Sequence, residues 1–346
     1  MEFELRFTDK EITAWDGMGL MKRMLNRTGF DSAMEVCDLP QPGSNRGYSP
    51  TQLIVQFMLS VWCGANRFEH SEVTRHDPVL QKLFGFKRMA NFKAIMRFFR
   101  KFDQATTMHV FGRLYRWFFG KLQLNHLTLD LDSTVMTRYG EQEGAARGYN
   151  PRKPGRYSHH PLMAFIADAR MIANLWLRPG NSHSANNALA FLDDTLDKLG
   201  GKQVALLRAD SGFSDAAFLN DLDQRSTHYL IALKLNQPLQ NALVDQTGWW
   251  VLDEGIEVIA FDYQAPCWDK PRRIVGIRQK IDVRPDAKGK QLSLFADDPA
   301  LACYRFGALV TDLDLSAEEL WRQMSWYSIL FHSNMPLVTN HWPTTL

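Results

Sequence analysis

Two aspartates stand where metal-dependent chemistry would need them. Asp132 closes the run Leu127-Thr128-Leu129-Asp130-Leu131-Asp132-Ser133-Thr134. Asp210 closes Val204-Ala205-Leu206-Leu207-Arg208-Ala209-Asp210-Ser211-Gly212-Phe213. Each carboxylate ends an apolar, strand-like run and precedes small turn residues. Hard oxygen ligands of this kind suit magnesium or manganese, which keep open positions for phosphate and water. Two such ions about 3.5–4 Å apart activate a nucleophile and stabilise a leaving oxygen. The chemistry implied is metal-assisted phosphoryl transfer. Asp130 shares the face of Asp132, because side chains on a strand alternate with period two. Asp132 is nearer the open end and reads as the ligand, Asp130 as a supporting or structural acid. The plain alternative is that Asp-Ser after a strand only caps a turn; two such units in one domain weigh against it.

A second group of residues is basic and glycine-rich. Gly140, Gly144-Ala145 and Gly148-Tyr149-Asn150-Pro151 are followed by Arg152, Lys153, Arg156, Tyr157, His159 and His160. Glycines beside cations and aromatics suit a loop that approaches a nucleic-acid backbone. His159 and His160 could ligate metal, but their spacing favours histidines of a surface loop. Leu177-Arg178-Pro179-Gly180-Asn181-Ser182 reads as a turn before a helix. Trp249-Trp250 could stack on bases; packing within a β segment is the simpler reading.

The third group is a charge run. Between positions 82 and 121 lie ten cations (Lys82, Lys87, Arg88, Lys93, Arg97, Arg100, Lys101, Arg113, Arg116 and Lys121) against one acid, Asp103. A solvated helical face explains most charge runs. An excess of this size favours a surface that meets a polyanion, with Lys87, Arg88, Lys93, Arg97, Arg100 and Lys101 as DNA-contacting candidates alongside Arg152, Lys153 and Arg156.

The elements that must position these groups follow from periodicity. Residues 1–50 read as loosely structured. Ser49-Pro50 opens a helix with an apolar stripe at Leu53, Ile54, Phe57, Met58 and Val61, and further helices run to about 121. From 127 the texture becomes α/β: strands at 127–131, 162–169, 171–177, 204–209 and 228–234, and helices at 186–199 (Leu189, Leu192 and Leu196 on one face) and 214–223. Residues 236–306 read as a β-rich insertion, with strands at 249–252, 256–263, 273–281 and 304–310 and a polar linker at 286–298. The expected division is a helical, basic DNA-binding region at 1–125, a core at 126–322 and an atypical tail at 323–346.

Composition narrows the class. The chain has 346 residues and a net charge of +2, so only local charge names a partner. Cys37, Cys63, Cys267 and Cys303 form no Cys-x-x-Cys pair, which speaks against a zinc knuckle and a disulfide framework. No signal-like core or membrane-length apolar run is visible, so a cytoplasmic protein is expected.

The ordered motifs resemble those of bacterial insertion-sequence transposases with a DDE catalytic domain. They are Leu-Asp-Leu-Asp-Ser-Thr ending at Thr134, Gly148-Tyr149-Asn150-Pro151, His160-Pro161-Leu162, Leu177-Arg178-Pro179-Gly180-Asn181 and Leu207 to Phe213. The likeness extends upstream through Arg75-His76-Asp77-Pro78 and Leu83-Phe84-Gly85, and downstream through Leu309-Val310-Thr311-Asp312 and Leu320-Trp321-Arg322, covering about 45–322. Each motif alone is weak; the ordered set is specific. The resemblance implies an α/β, ribonuclease-H-like catalytic core with a β-rich insertion. Asp132 and Asp210 would be the first two acids of an Asp-Asp-Glu triad binding Mg2+ or Mn2+. It further implies DNA cleavage and strand transfer at terminal inverted repeats, double-stranded DNA as partner, a homodimer on paired ends and a bacterial, nucleoid-associated location.

The end of the chain departs from that pattern. The third acid is expected about ten residues after Leu320-Trp321-Arg322, yet no Asp, Glu, Lys or Arg occurs from Gln323 to Leu346. This reads as a frameshifted or truncated frame. Glu318 and Glu319 read as first-turn helix acids capped by Ser316. A catalytically defective DNA-binding remnant, or an inhibitor of transposition, is the second reading. A nuclease or phosphoesterase unrelated to transposition is the third.

Overall fold

The computed structural model describes residues 9–43, 47–140, 142–150, 153–183, 187–280 and 303–331, with side chains as far as 324. The chain divides into two compact units, Met1–Gln123 and Leu124–Leu346.

The first unit is helical. Its elements are α1 (Met18–Thr28), α2 (Phe30–Glu35), α3 (Pro50–Trp62), α4 (Ser71–Arg75), α5 (Pro78–Phe84), α6 (Phe92–Phe99) and α7 (Gln104–Gly120). Residues 18–35 are therefore ordered as helices, contrary to the loose structure expected there. Gly29, at φ 71°, ends α1 in the left-handed region that glycine favours and starts α2 at once. Leu25, Phe30, Met34 and Cys37 then join Leu59, Leu80 and Val110 in one core.

Side chains close the later helix starts. Ser49, Asp77, Asn91 and Asp103 accept from the backbone N–H of Gln52, Leu80, Ala94 and Thr106. Each cap is worth about 1 kcal/mol. The buried Gln56 amide exchanges two hydrogen bonds with the Ala90 backbone, which ties α3 to the start of α6. The expected stripe on α3 is only partly the buried face: Leu53 is buried, but Val55 and Leu59 are too, while Val61 is exposed.

The second unit is built on one nine-stranded sheet. Its strands are β1 (Leu127–Ser133), β5 (Leu162–Ile166), β6 (Met171–Trp176), β7 (Val204–Ala209), β8 (His228–Ala232), β9 (Trp250–Asp253), β10 (Ile256–Tyr263), β11 (Arg272–Lys280) and β12 (Tyr304–Thr311), in the order β6-β5-β1-β7-β8-β12-β11-β10-β9. The β1, β7 and β8 strands run parallel, and every other pairing is antiparallel. A smaller sheet, in the order β2-β4-β3, joins β2 (Met136–Thr137), β4 (Tyr157–His159) and β3 (Ala146–Arg147).

Among the described residues, four helices complete this unit: α8 (Ala188–Leu199), α9 (Ala216–Gln224), α10 (Gln237–Val244) and α11 (Ala317–Phe331). The inward face of α8 is Ala188, Phe191, Leu192, Thr195 and Lys198, so Leu192 is placed as expected while Leu189 and Leu196 lie at its margin. The β-rich segment does not form its own layer. Its strands β12, β11, β10 and β9 extend the central sheet beyond β8, and α10 interrupts the segment. The expected linker at 286–298 lies outside the described residues.

Candidate active site

The sheet register brings the two aspartates together. In the parallel pair β1–β7, Leu131 is opposite Ala209, so Asp132 and Asp210 are the next residues along both strands. Neighbouring strands lie about 4.8 Å apart. Both carboxylates therefore emerge side by side at the same end of the sheet.

Their surroundings differ. Asp210 is half-buried, and one of its oxygens accepts from the Gly212 N–H at 2.9 Å, capping a 3-10 turn at Ser211–Phe213. The turn-cap reading is thus correct for Asp210 as far as it goes. Asp132 is only 4% exposed, and its Oδ1 is buried without a hydrogen-bond partner. Burial, and then the charge of Asp210, push the Asp132 carboxyl up to about 7. A buried acceptor facing a second carboxylate is an arrangement that a cation would relieve.

Asp130 has another role in the strand. It lies opposite Arg208 in the register and takes a bidentate pair from it, at 2.7 and 2.8 Å. Burial outweighs the nearby guanidinium and raises the Asp130 pKa. The remaining arm of Arg208 donates to the Gln323 carbonyl at 2.6 Å. Arg208 therefore links β1, β7 and α11 at one point. At the start of α11, Ser316 and Glu319 form a reciprocal capping box, and Glu318 pairs with Arg322. Both glutamates serve the helix, as the sequence suggested.

His159 and His160 are corrections: both are buried, not on a surface loop. Each ring finds a hydrogen-bond partner far along the chain. His160 Nδ1 donates to the Ser182 carbonyl at 2.6 Å, and burial lowers its pKa. His160 and Arg178 also exchange backbone contacts, with Arg178 Nε donating to the His160 carbonyl at 3.1 Å. Burial pushes Arg178 down to about 10. His159 Nε2 is 3.0 Å from the Glu143 carbonyl, and its Nδ1 is 3.0 Å from Arg138 Nε. Both contacts are satisfied when Nε2 carries the proton.

The two glycine motifs meet here. A Cβ on Gly148 would lie 2.1 Å from the Gly180 carbonyl oxygen, and one on Gly180 would lie 2.5 Å from two backbone carbonyls. The sequence offered these as separate turns; only their pairing of backbone against backbone explains both glycines.

The basic candidates are solvent-facing. Lys87, Arg88, Lys93, Arg97, Arg100 and Lys101 are all exposed on the first unit, while Ile95 and Phe98 between them point inward. Arg88 stacks on Tyr48, and Lys101 donates to the Gln41 carbonyl. Lys153 and Arg156 are exposed on the second unit; Arg152 lies outside the described residues. Trp249 packs on Arg278 and Phe306, whereas Trp250 is exposed. Among the described residues, no set of three His, Cys, Asp or Glu side chains is arranged to hold a metal ion, and no helix is long and apolar enough to cross a membrane.

Comparison with known families decides the relationship. Residues 1–323 match the family described as transposase DDE domain group 1. The chain belongs to that family. The site sits on the five neighbouring strands β6-β5-β1-β7-β8, with Asp132 in β1 and Asp210 directly after β7, which runs parallel to it. This transposase DDE domain is similar to piggyBac transposase in a synaptic complex with hairpin DNA, at 11% identity and a TM-score of 0.49, over 90% of this chain and 66% of that one. It is also similar to Mos1 transposase in a paired-end complex with the left transposon end, at 9% identity and a TM-score of 0.23, over 60% and 66%. The chain thus spans 66% of the length of each of these proteins. No curated protein shows significant similarity to the sequence.

Proposed function

We propose that this transposase DDE domain cleaves and transfers DNA strands at the terminal inverted repeats of a mobile element. The carrying observation is the register that sets Asp132 beside Asp210, with Asp132 Oδ1 buried and unpartnered. Asp132 and Asp210 would hold Mg2+ or Mn2+. Their fit is chemical: two hard oxygen donors, one of them destabilised as an anion by burial and by the charge of the other. A bound divalent ion supplies Lewis-acid stabilisation of the oxygens in an in-line displacement.

The chain's own residues do the positioning. Arg208 and Asp130 lock β1 to β7 beside the site and keep α11 against them. The reaction has two displacements. Water attacks a phosphodiester and releases a 3′-hydroxyl, which then attacks target DNA. The exposed cations Lys87, Arg88, Lys93, Arg97, Arg100, Lys101, Lys153 and Arg156 would contact phosphates, and Arg152 would join them, with two copies of the chain on paired ends.

The test is cleavage of duplex DNA carrying the element ends, with magnesium present. Cleavage at the ends that disappears in Asp132→Ala supports the reading. Cleavage of arbitrary duplex with no preference for ends overturns it. A second reading is a DNA-binding remnant that occupies ends without cutting. End-specific binding with no cleavage in magnesium or manganese selects it.

A further inference from the structure

We propose that the small sheet β2-β4-β3 carries a binding site for one phosphate of the DNA backbone, close to the bond that is cut. The sheet places Arg138, Tyr157 and Arg147 in one row. Arg147 is opposite Tyr157 across β3–β4, and Thr137 is opposite Ser158 across β2–β4, so Arg138 is next in line with Tyr157. The Arg138 N–H donates to the Tyr157 carbonyl at 2.8 Å, which confirms that alignment. Directly opposed residues point to the same face of a sheet. The row is therefore a tyrosine flanked by two guanidinium groups.

A cavity of about 430 Å³ opens against this row, lined by Arg138, Arg147, Arg156 and Tyr157, with no acidic residue among the described residues of its wall. Gly140 and Gly155 complete it at positive φ, with open space where a Cβ would project. Pro154 shares that side with them, and the open space at the two glycines allows a bulky anion to come close. The three arginines form no salt bridge among the described residues. Arg147 lies over the Tyr157 ring, 5.0 Å from its centre. Arg138 is aimed rather than free to swing: the buried His159 accepts from its Nε, and the other ring nitrogen of His159 is anchored on the Glu143 carbonyl. A fixed guanidinium fork beside an aromatic face matches a phosphodiester and the sugar or base next to it.

Position along the chain limits where that phosphate lies. Arg138 is six residues from Asp132, and a fully extended chain spans at most about 3.3–3.6 Å per residue. The two Cα atoms are therefore within about 20 Å. The side chains at the two ends add about 10 Å of reach, so at about 3.4 Å per nucleotide along a strand the bound phosphate lies within about nine nucleotides of one held at Asp132 and Asp210. This placement rests on the transposase reading; the phosphate site itself does not.

The test is salt-dependent binding of a fluorescent 30-base-pair duplex to the full chain. Three forms are compared: wild type, the combined Arg138→Gln, Arg147→Gln and Arg156→Gln variant, and a charge-matched control with Arg170→Gln, Lys234→Gln and Arg305→Gln. Loss of one phosphate contact lowers the slope of log K against log salt by about 0.9. The cavity variant is expected to lose at least that much, and the control to keep the wild-type slope. Equal slopes for wild type and cavity variant, or equal losses in variant and control, overturn the proposal. So does displacement of the duplex by millimolar inorganic phosphate at fixed ionic strength down to the level of the cavity variant, which marks a free-anion site. Circular dichroism on each form separates misfolding from lost contact, and Arg147→Lys, which keeps the charge, is expected to retain the slope. Cleavage is scored separately. A wild type that cuts ends while the cavity variant keeps its slope sinks the phosphate site alone. A protein that never cuts, yet loses slope as stated, sinks the transposase reading alone.

Discussion

Replacing Asp132 with asparagine is expected to make the protein more stable at alkaline pH, not less. An unfolded aspartate titrates near 4, while burial and then the charge of Asp210 hold folded Asp132 at about 7. Between those values the folded state keeps a proton that the unfolded state has lost. Stability therefore falls as pH rises from about 4 to about 7 and levels off above. At 1.36 kcal/mol per pH unit, three units amount to about 4 kcal/mol. Asp132→Asn removes the titration, so its advantage over wild type is absent at pH 4 and reaches up to about 4 kcal/mol at pH 8. Urea denaturation of both forms at pH 5, 6, 7 and 8 measures it. Saturating magnesium at pH 8 should narrow the gap by stabilising wild type alone. Parallel stability curves for the two forms across this range would refute the argument, because they would mean that Asp132 titrates alike in both states.

Other perturbations test the framework around the site. Arg208→Met leaves Asp130 buried without its partner and should cost about 3–5 kcal/mol, whereas Asp130→Leu combined with Arg208→Met should recover most of that loss in urea midpoints. Gly148→Ala puts a methyl group onto the Gly180 carbonyl and should cost at least about 1–3 kcal/mol, measured the same way. Ser316→Ala breaks the capping box and should cost about 1 kcal/mol, seen as faster hydrogen exchange in the first turn of α11. Burial, and then Asp77, push the Cys63 thiol up to about 11, so iodoacetamide at pH 8 should label the exposed Cys267 and Cys303 well before Cys63, as read by mass spectrometry.

What could be read from the sequence depended on how local its cause was. The β7 strand was legible to the residue because it lies between other strands and so reads as an apolar run, broken only by Arg208, that leads to Asp210. The Asp130–Asp132 pair was legible from period two, and Asp130 already read as the structural acid of the two; what was missing was its partner Arg208, which lies opposite only after β1 and β7 pair. The early helices were missed because α2 is six residues long and its start depends on a single left-handed glycine. The burial of His159 and His160 was illegible for a different reason. Their partners, Glu143, Arg138 and Ser182, are 16 to 22 residues away and contribute mostly carbonyl groups, which every residue has. Arg138 and Arg147 left no motif of their own; only the pairing of β2 and β3 to either side of β4 makes them neighbours.

The sheet order also sets a schedule for synthesis. The β8 strand, with Tyr229, Leu230 and Ile231 wholly buried, is covered on one edge by β12. About 70 residues separate Ala232 from Tyr304, and ribosomes add about 5–20 residues per second. For several seconds the nascent chain carries an apolar strand with an open edge, next to the strand that leads to Asp210. Until β12 arrives, that edge is a place for another chain to pair. Yield of soluble protein should therefore respond to translation speed between β8 and β12 more than to speed elsewhere in the message.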